Sequence, residues 1–109
     1  MELQFNQTGW EDYLWWQQHD RKVLKRINGL IEATLRDPRA GIGKPERLKT
    51  QQVDLWSRRI TLEHRMVYAI EQDRIVVVQL RYHYLSGSAP ICLQISAAIS
   101  MPAITSVAG

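Results

Sequence analysis

Three kinds of side chain in this 109-residue sequence could together cut an RNA chain without help from a metal. Such cleavage needs a base to take the proton from a 2′-hydroxyl and an acid to protonate the departing 5′-oxygen. It also needs cations to stabilise the phosphorane-like charge. Glu46, between Pro45 and Arg47, offers the carboxylate. His83, near the end of the last predicted strand, offers the imidazole. Arg59 and Arg65, on the two preceding strands, offer guanidinium groups.

The two-residue period of a strand tests whether these groups converge. On the last predicted strand Arg81 and His83 share one face, and Val76, Val78, Leu80, Tyr82 and Tyr84 share the other. Arg59 shares a face with Ser57, and Arg65 with Val67. With the apolar side of the sheet under the helices, Arg59, Arg65 and His83 face the opposite way together. Tyr84 joins them only if the chain turns at the strand end.

Taken singly, the same residues have plainer readings. Glu46 is a solvated ion-pair partner in a basic loop, and His83 a surface side chain. Arg58 and Arg59 are the solvated face of a strand, and Tyr82 and Tyr84 are strand formers. Trp10, Trp15 and Trp16 read as core and interface residues. His19 and His64 have no metal-ligand partner at useful spacing and read as structural. Composition and spacing alone reach a small α+β domain with RNA as one candidate partner.

The elements that must position these groups follow from periodicity. Residues 2–6 alternate apolar and polar side chains, as a short strand does. Thr8 is a candidate N-cap with Glu11 three residues later, as in a capping box, and Glu11 and Asp12 then fall in the first helical turn. A first helix is expected over about 8–19. Asp20 is a second candidate N-cap. Val23, Leu24, Ile27, Leu30, Ile31, Thr34 and Leu35 form an apolar stripe opposite Arg21, Lys22, Lys25 and Arg26, and Pro38 ends that second helix. With almost no linker, the two helices should form an antiparallel hairpin. Residues 38–49, with two Pro and two Gly, read as a loop of special backbone conformations. Strands are expected at Leu55–Thr61, Arg65–Glu71 and Arg74–Tyr84, with a turn at Gln72–Asp73. The order β-α-α-β-β-β predicts an α+β domain, its helix pair packed on one face of a mainly antiparallel sheet.

Charge divides the chain unevenly. The net charge is +3, from 14 basic and 11 acidic side chains. Residues 1–20 hold four acids and no Lys or Arg, whereas residues 21–49 hold nine basic side chains against three acids. Residues 85–109 carry no charge. The positive stretch thus runs from the second helix through the Glu46 loop, where a phosphate backbone would be held. The single cysteine, Cys92, excludes an intramolecular disulfide framework and a structural zinc site, and suits a reducing compartment. No signal-peptide pattern opens the sequence. The uncharged run 91–109 has transmembrane length, but Pro102, Gln94 and several Ser argue against a membrane span.

Four motifs in order carry a family resemblance. The opening WEDYLWWQQHDRKVLKRINGL (Trp10 to Leu30), the loop GIGKPERLK (Gly41 to Lys49), the run WSRRITLEHRMVY (Trp56 to Tyr68) and the ending Arg81-Tyr82-His83-Tyr84 resemble YoeB-type toxins. These belong to the RelE superfamily of bacterial toxin–antitoxin systems, whose fold resembles that of microbial ribonucleases. The resemblance spans residues 1–84 and leaves 85–109 as an extension, expected to be flexible.

The resemblance implies a ribosome-dependent messenger-RNA endonuclease that cuts in the ribosomal A site and uses no metal or other cofactor. It implies a cytoplasmic homodimer neutralised by a cognate antitoxin, with operator DNA bound only through that antitoxin. Carried over by motif, Glu46 is the general base, His83 the general acid, and Arg65 the group stabilising the scissile phosphate. Arg59 and Lys49 add positive charge, and Tyr84 helps to position the substrate. Two departures stand out. Val53-Asp54 replaces a small, flexible pair before the Trp-Ser-Arg-Arg run, and the extension follows directly on Tyr84. If either impairs catalysis, the alternative is a toxin homologue that serves as an antitoxin-binding co-repressor module.

Overall fold

The structure, a computed structural model, describes residues 1–49 and 52–82. The predicted site residues His83 and Tyr84, and the whole extension 85–109, lie outside the described residues.

Strand β1 (Glu2–Phe5) leads into helix α1 (Gln7–His19) and helix α2 (Arg21–Arg36). Then come β2 (Glu46–Arg47), β3 (Leu55–Arg59), β4 (Arg65–Glu71) and β5 (Arg74–Gln79). They form one five-stranded sheet in the order β1-β5-β4-β3-β2. Among these strands only β1 runs parallel to its neighbour, from Glu2 opposite Arg74 to Phe5 opposite Val77; the other pairs are antiparallel. The α+β architecture with a mainly antiparallel sheet is as expected.

The first helix starts earlier than expected, and its cap is Asn6 rather than Thr8. The Asn6 side chain accepts from the Gly9 amide at 2.7 Å, satisfying one of the free donors of the first turn. Asn6 is the residue directly after β1, and its own amide donates to the Val77 carbonyl. The same approach explains Gly9: a Cβ there would lie 2.3 Å from that carbonyl oxygen. Glu11 therefore sits beyond the first turn, where it accepts from Gln7.

Asp20 joins the helices alone. Its amide donates to the Trp16 carbonyl, closing α1, and its carboxylate accepts from the amides of Lys22 and Val23, opening α2. One extended residue thus turns the chain back, and Tyr13 on α1 donates to Asn28 on α2. The apolar stripe of α2 buries Ile27, Leu30, Ile31 and Thr34.

Both faces of the central strands are apolar, as the uninterrupted run Ile75-Val76-Val77-Val78 suggests. Tyr68, Met66, Ile75 and Val77 face the helices with Phe5, Trp16, Ile27 and Leu30. Leu55, Val67, Ala69, Val76 and Val78 form a second cluster with Leu48 and Val53. This corrects the expected facing of the last strand: Ile75 and Val77, not Val76 and Val78, lie under the helices. The strand is also shorter than expected and ends at Gln79, not Tyr84. A bulge interrupts its pairing, because Tyr68 opposes Val77 while Val67 opposes Gln79. Leu80 then leaves the alternation and joins the helix-side core. The strand over 55–61 is likewise shorter and ends at Arg59.

Candidate active site

Glu46 does not sit in a loop. It belongs to the two-residue edge strand β2, which the sequence pattern does not reveal, and pairs with Ser57 of β3. Ser57 pairs with Val67 of β4, and Val67 with Gln79 of β5. Cross-strand partners point the same way. Glu46, Ser57 and Val67 therefore form one row on the face turned away from the helices. Arg59 and Arg65 are partners in the same pairing and lie on that same face.

The predicted base and the predicted phosphate-binding cation meet there. Arg65 Nη1 lies 3.5 Å from Glu46 Oε2. The Arg65 side chain is 21% exposed and that of Glu46 is 69% exposed. A half-sunk guanidinium under an exposed carboxylate is a loose ion pair, worth about 0–1 kcal/mol. An incoming phosphate can compete for it. Ser57, between Glu46 and Val67, is fully buried, and its hydroxyl has no hydrogen-bond partner among the described residues. Arg59 is exposed, its carbonyl accepting from Arg26 and its amide donating to the Gly43 carbonyl. Lys49 is exposed beyond the end of β2, and no hydrogen bond or ion pair joins it to Glu46 or Arg65 among the described residues.

The loop before Glu46 is held from beneath by Arg58, which is buried rather than solvated. Its guanidinium donates to the carbonyls of Asp37, Ala40 and Ile42 and to the Tyr68 hydroxyl. Tyr68 donates in turn to the Pro38 carbonyl. Burial pushes the Tyr68 phenol above its ordinary range, against the opposing pull of Arg58, so it stays a donor. Gly41 and Gly43 have positive φ, and a Cβ on Gly43 would come within 2.7 Å of Leu30. The expected special loop conformations are located here. Sequence reasoning misses Arg58 because its partners are backbone carbonyls remote in sequence. The available signal is its position on β3 between Trp56 and Ile60, on the apolar face.

Asp54 fixes the other end of the β2–β3 connection. It accepts from Arg39, from Arg47 Nε and from the Trp56 indole. Partial burial raises its pKa, but the bonds from Trp56, Arg47 and Arg39 outweigh that and hold it below the ordinary carboxylate range. Asp54 is thus an ordered clamp on this connection.

The segment leading toward His83 is gripped by α1. The Leu80 amide donates to Asp12, and the Trp16 indole donates to the Leu80 carbonyl. The Arg81 guanidinium stacks 4.0 Å from the centroid of Trp15. Burial raises the Asp12 pKa, opposed by the Leu80 amide and Arg81. Arg65 donates its amide to the Tyr82 carbonyl, so the predicted phosphate residue is bonded to the residue just before His83. Among the described residues no group of three His, Cys, Asp or Glu side chains is placed to hold a metal ion.

Comparison with known proteins identifies the family and the fold. The family model described as a YoeB-like toxin of bacterial type II toxin–antitoxin systems matches residues 5–84. Toxin YoeB of Streptomyces coelicolor is 54% identical over 84 residues, covering 77% of this chain and 100% of the relative. Toxin YoeB of a Synechocystis strain is 52% identical over 84 residues, covering 77% and 98%. Among solved structures, a YoeB/ParE toxin from Agrobacterium tumefaciens superposes with a TM-score of 0.73 at 45% identity, covering 77% of this chain and all of that one. A YoeB dimer from Staphylococcus aureus gives 0.71 at 40% identity, covering 77% and 98%. A YoeB–YefM complex from the same organism gives 0.69 at 39% identity, with the same coverage. On the family match and on relatives more than half identical over the 84 aligned residues, the chain belongs to the YoeB-like toxins of bacterial type II toxin–antitoxin systems.

Proposed function

We propose that this toxin is a ribosome-dependent messenger-RNA endonuclease, cutting in the ribosomal A site by attack of the RNA's own 2′-hydroxyl. The single observation that carries this reading is the Glu46–Arg65 pair at 3.5 Å on the sheet face turned away from the helices. Glu46 takes the 2′-hydroxyl proton, and the 2′-oxygen attacks the adjacent phosphorus. Arg65 stabilises the added negative charge, with Arg59 and Lys49 holding the flanking backbone. The bond from phosphorus to the 5′-oxygen breaks, and His83 gives that oxygen a proton while Tyr84 positions the substrate. The products are a 2′,3′-cyclic phosphate and a 5′-hydroxyl.

A carboxylate is a weak base toward a 2′-hydroxyl. The chemistry therefore depends on the placement that a ribosome-bound substrate supplies. No metal or other cofactor takes part in the scheme. Residues 1–84 are the working domain, and they hold every charged residue of the chain. The solved dimer and antitoxin complex of relatives support a homodimer neutralised by a cognate antitoxin, with operator DNA reached only through that antitoxin. A cytoplasmic site of action follows from the ribosomal target; no helix among the described residues is long and apolar enough to cross a membrane.

Primer extension on programmed ribosomes tests the reading. The full chain and a version ending at Tyr84 should both cut, and Glu46→Gln should not. Equal cutting of a message whose attacking 2′-hydroxyl is replaced by hydrogen would overturn the mechanism.

A further inference from the structure

Tyr82 combines two unusual features. Its φ is +64°, a left-handed conformation that favours glycine and strains a tyrosine. Its peptide groups are also held on both sides by consecutive residues of one turn. His64 Nδ1 accepts from the Tyr82 amide at 2.8 Å, and the Arg65 amide donates to the Tyr82 carbonyl at 3.1 Å.

That turn is itself stiff. The amides of Ile60 and Thr61 donate to the His64 carbonyl, and the Thr61 hydroxyl accepts from the amides of Glu63 and His64. The His64 ring is packed edge-on to Trp16, with centroids 4.9 Å apart, and tilted against Tyr82 at 5.3 Å. A backbone amide can only donate, so Nδ1 meets it as the acceptor. A strained conformation persists only where its surroundings over-determine it. Here the Nδ1 acceptor fixes the peptide of the residue immediately before His83.

We propose that His64 is a positioning residue for RNA cleavage. Its Nδ1 lone pair latches the Tyr82 amide and so fixes the peptide of the residue that precedes His83 in sequence. The inference rests on the ribonuclease reading above. It separates two things a histidine offers at this position, a ring and an acceptor.

His64→Asn keeps an acceptor at the place of Nδ1 and loses the ring. His64→Phe keeps a ring against Trp16 and Tyr82 and loses the acceptor. With saturating toxin on programmed ribosomes, the His64→Phe variant should cleave at least about tenfold more slowly in a single turnover, with the half-saturating concentration little changed. His64→Asn should stay within about threefold of the wild type, since misplacing a reacting group costs up to about 10²-fold. Thermal stability should rank the other way, because the Asn variant forfeits the packing. The Tyr82 amide should exchange slowly in the wild type and in the Asn variant, and fast in the Phe variant.

Cleavage by the Phe variant at the wild-type rate, or rates that follow the two variants' stabilities, would overturn the inference. A wild type that cuts no message, assayed beside Glu46→Gln, would instead overturn the ribonuclease reading. The two failures are thus distinguishable.

Discussion

Glu46 and Arg65 belong to strands that are not neighbours, yet their side chains meet across β3, Nη1 to Oε2 at 3.5 Å. The guanidinium is the more sheltered partner and the carboxylate the more accessible one. In the mechanism proposed above, a base that reaches for a 2′-hydroxyl gains from that asymmetry, because the group that moves is the one in solvent. Arg65→Gln should lower single-turnover cleavage by about 10²–10³-fold, the loss expected for one donor to developing charge. Arg65→Lys should recover only part of the rate, since an ammonium lacks the planar fork that grips two phosphate oxygens.

For Arg58 the expected effect is on stability. Arg58→Met leaves the carbonyls of Asp37, Ala40 and Ile42 without their donor in a buried setting. A loss of about 3 kcal/mol or more is expected in urea unfolding. Arg58→Lys, able to reach fewer of these acceptors, should restore only part of the stability.

Asp54 makes stability depend on pH. Its folded pKa is depressed, so its contribution is present above the unfolded carboxylate value of about 3.9 and disappears as the pH falls through the folded value. Asp54→Asn should cost about 1–3 kcal/mol at pH 7, as expected for bonds to a charged acceptor that is itself partly exposed. The gap between wild type and variant, followed by thermal melts, should close as the pH is lowered below about 4.

Ser57 offers a test with the unusual sign. Its buried hydroxyl has no partner among the described residues, so Ser57→Ala removes an uncompensated polar group. The melting temperature should stay the same or rise. A fall of several degrees would show that the hydroxyl is satisfied in solution.

What can be read from the sequence is whatever depends on neighbours in the chain. Alternation sets Arg59 with Ser57 and Arg65 with Val67, the observed register then joins the two pairs on one face, and a 3.6-residue period gives the α2 stripe. Asp20 is legible as a cap because an acid before a periodic apolar run has few other roles. The misplaced boundaries share a different cause. Asn6 and Thr8 are both good caps, and the choice between them is made by the contact of Gly9 with Val77, far away along the chain. β5 stops early because Asp12 and Trp16 take both backbone groups of Leu80, although Arg81-Tyr82 reads locally as strand. β2 has only two residues between Pro and Leu, too few for any period to register. Its existence depends on β3, and with it the elevation of Glu46 from a loop to an ordered row.

The parallel pairing of β1 with β5 bears on when the protein becomes dangerous. The first strand described has the last one described as its sheet neighbour. The same α1 that follows β1 must wait for Leu80 and Arg81 to arrive before Asp12, Trp16 and Trp15 find their partners. Contacts so distant along the chain form late and cooperatively. A nascent chain interrupted anywhere before β5 lacks the strand that joins β1 to the rest of the sheet. Incomplete copies released from a stalled ribosome carry Glu46 and Arg65 without the completed sheet that holds them in place.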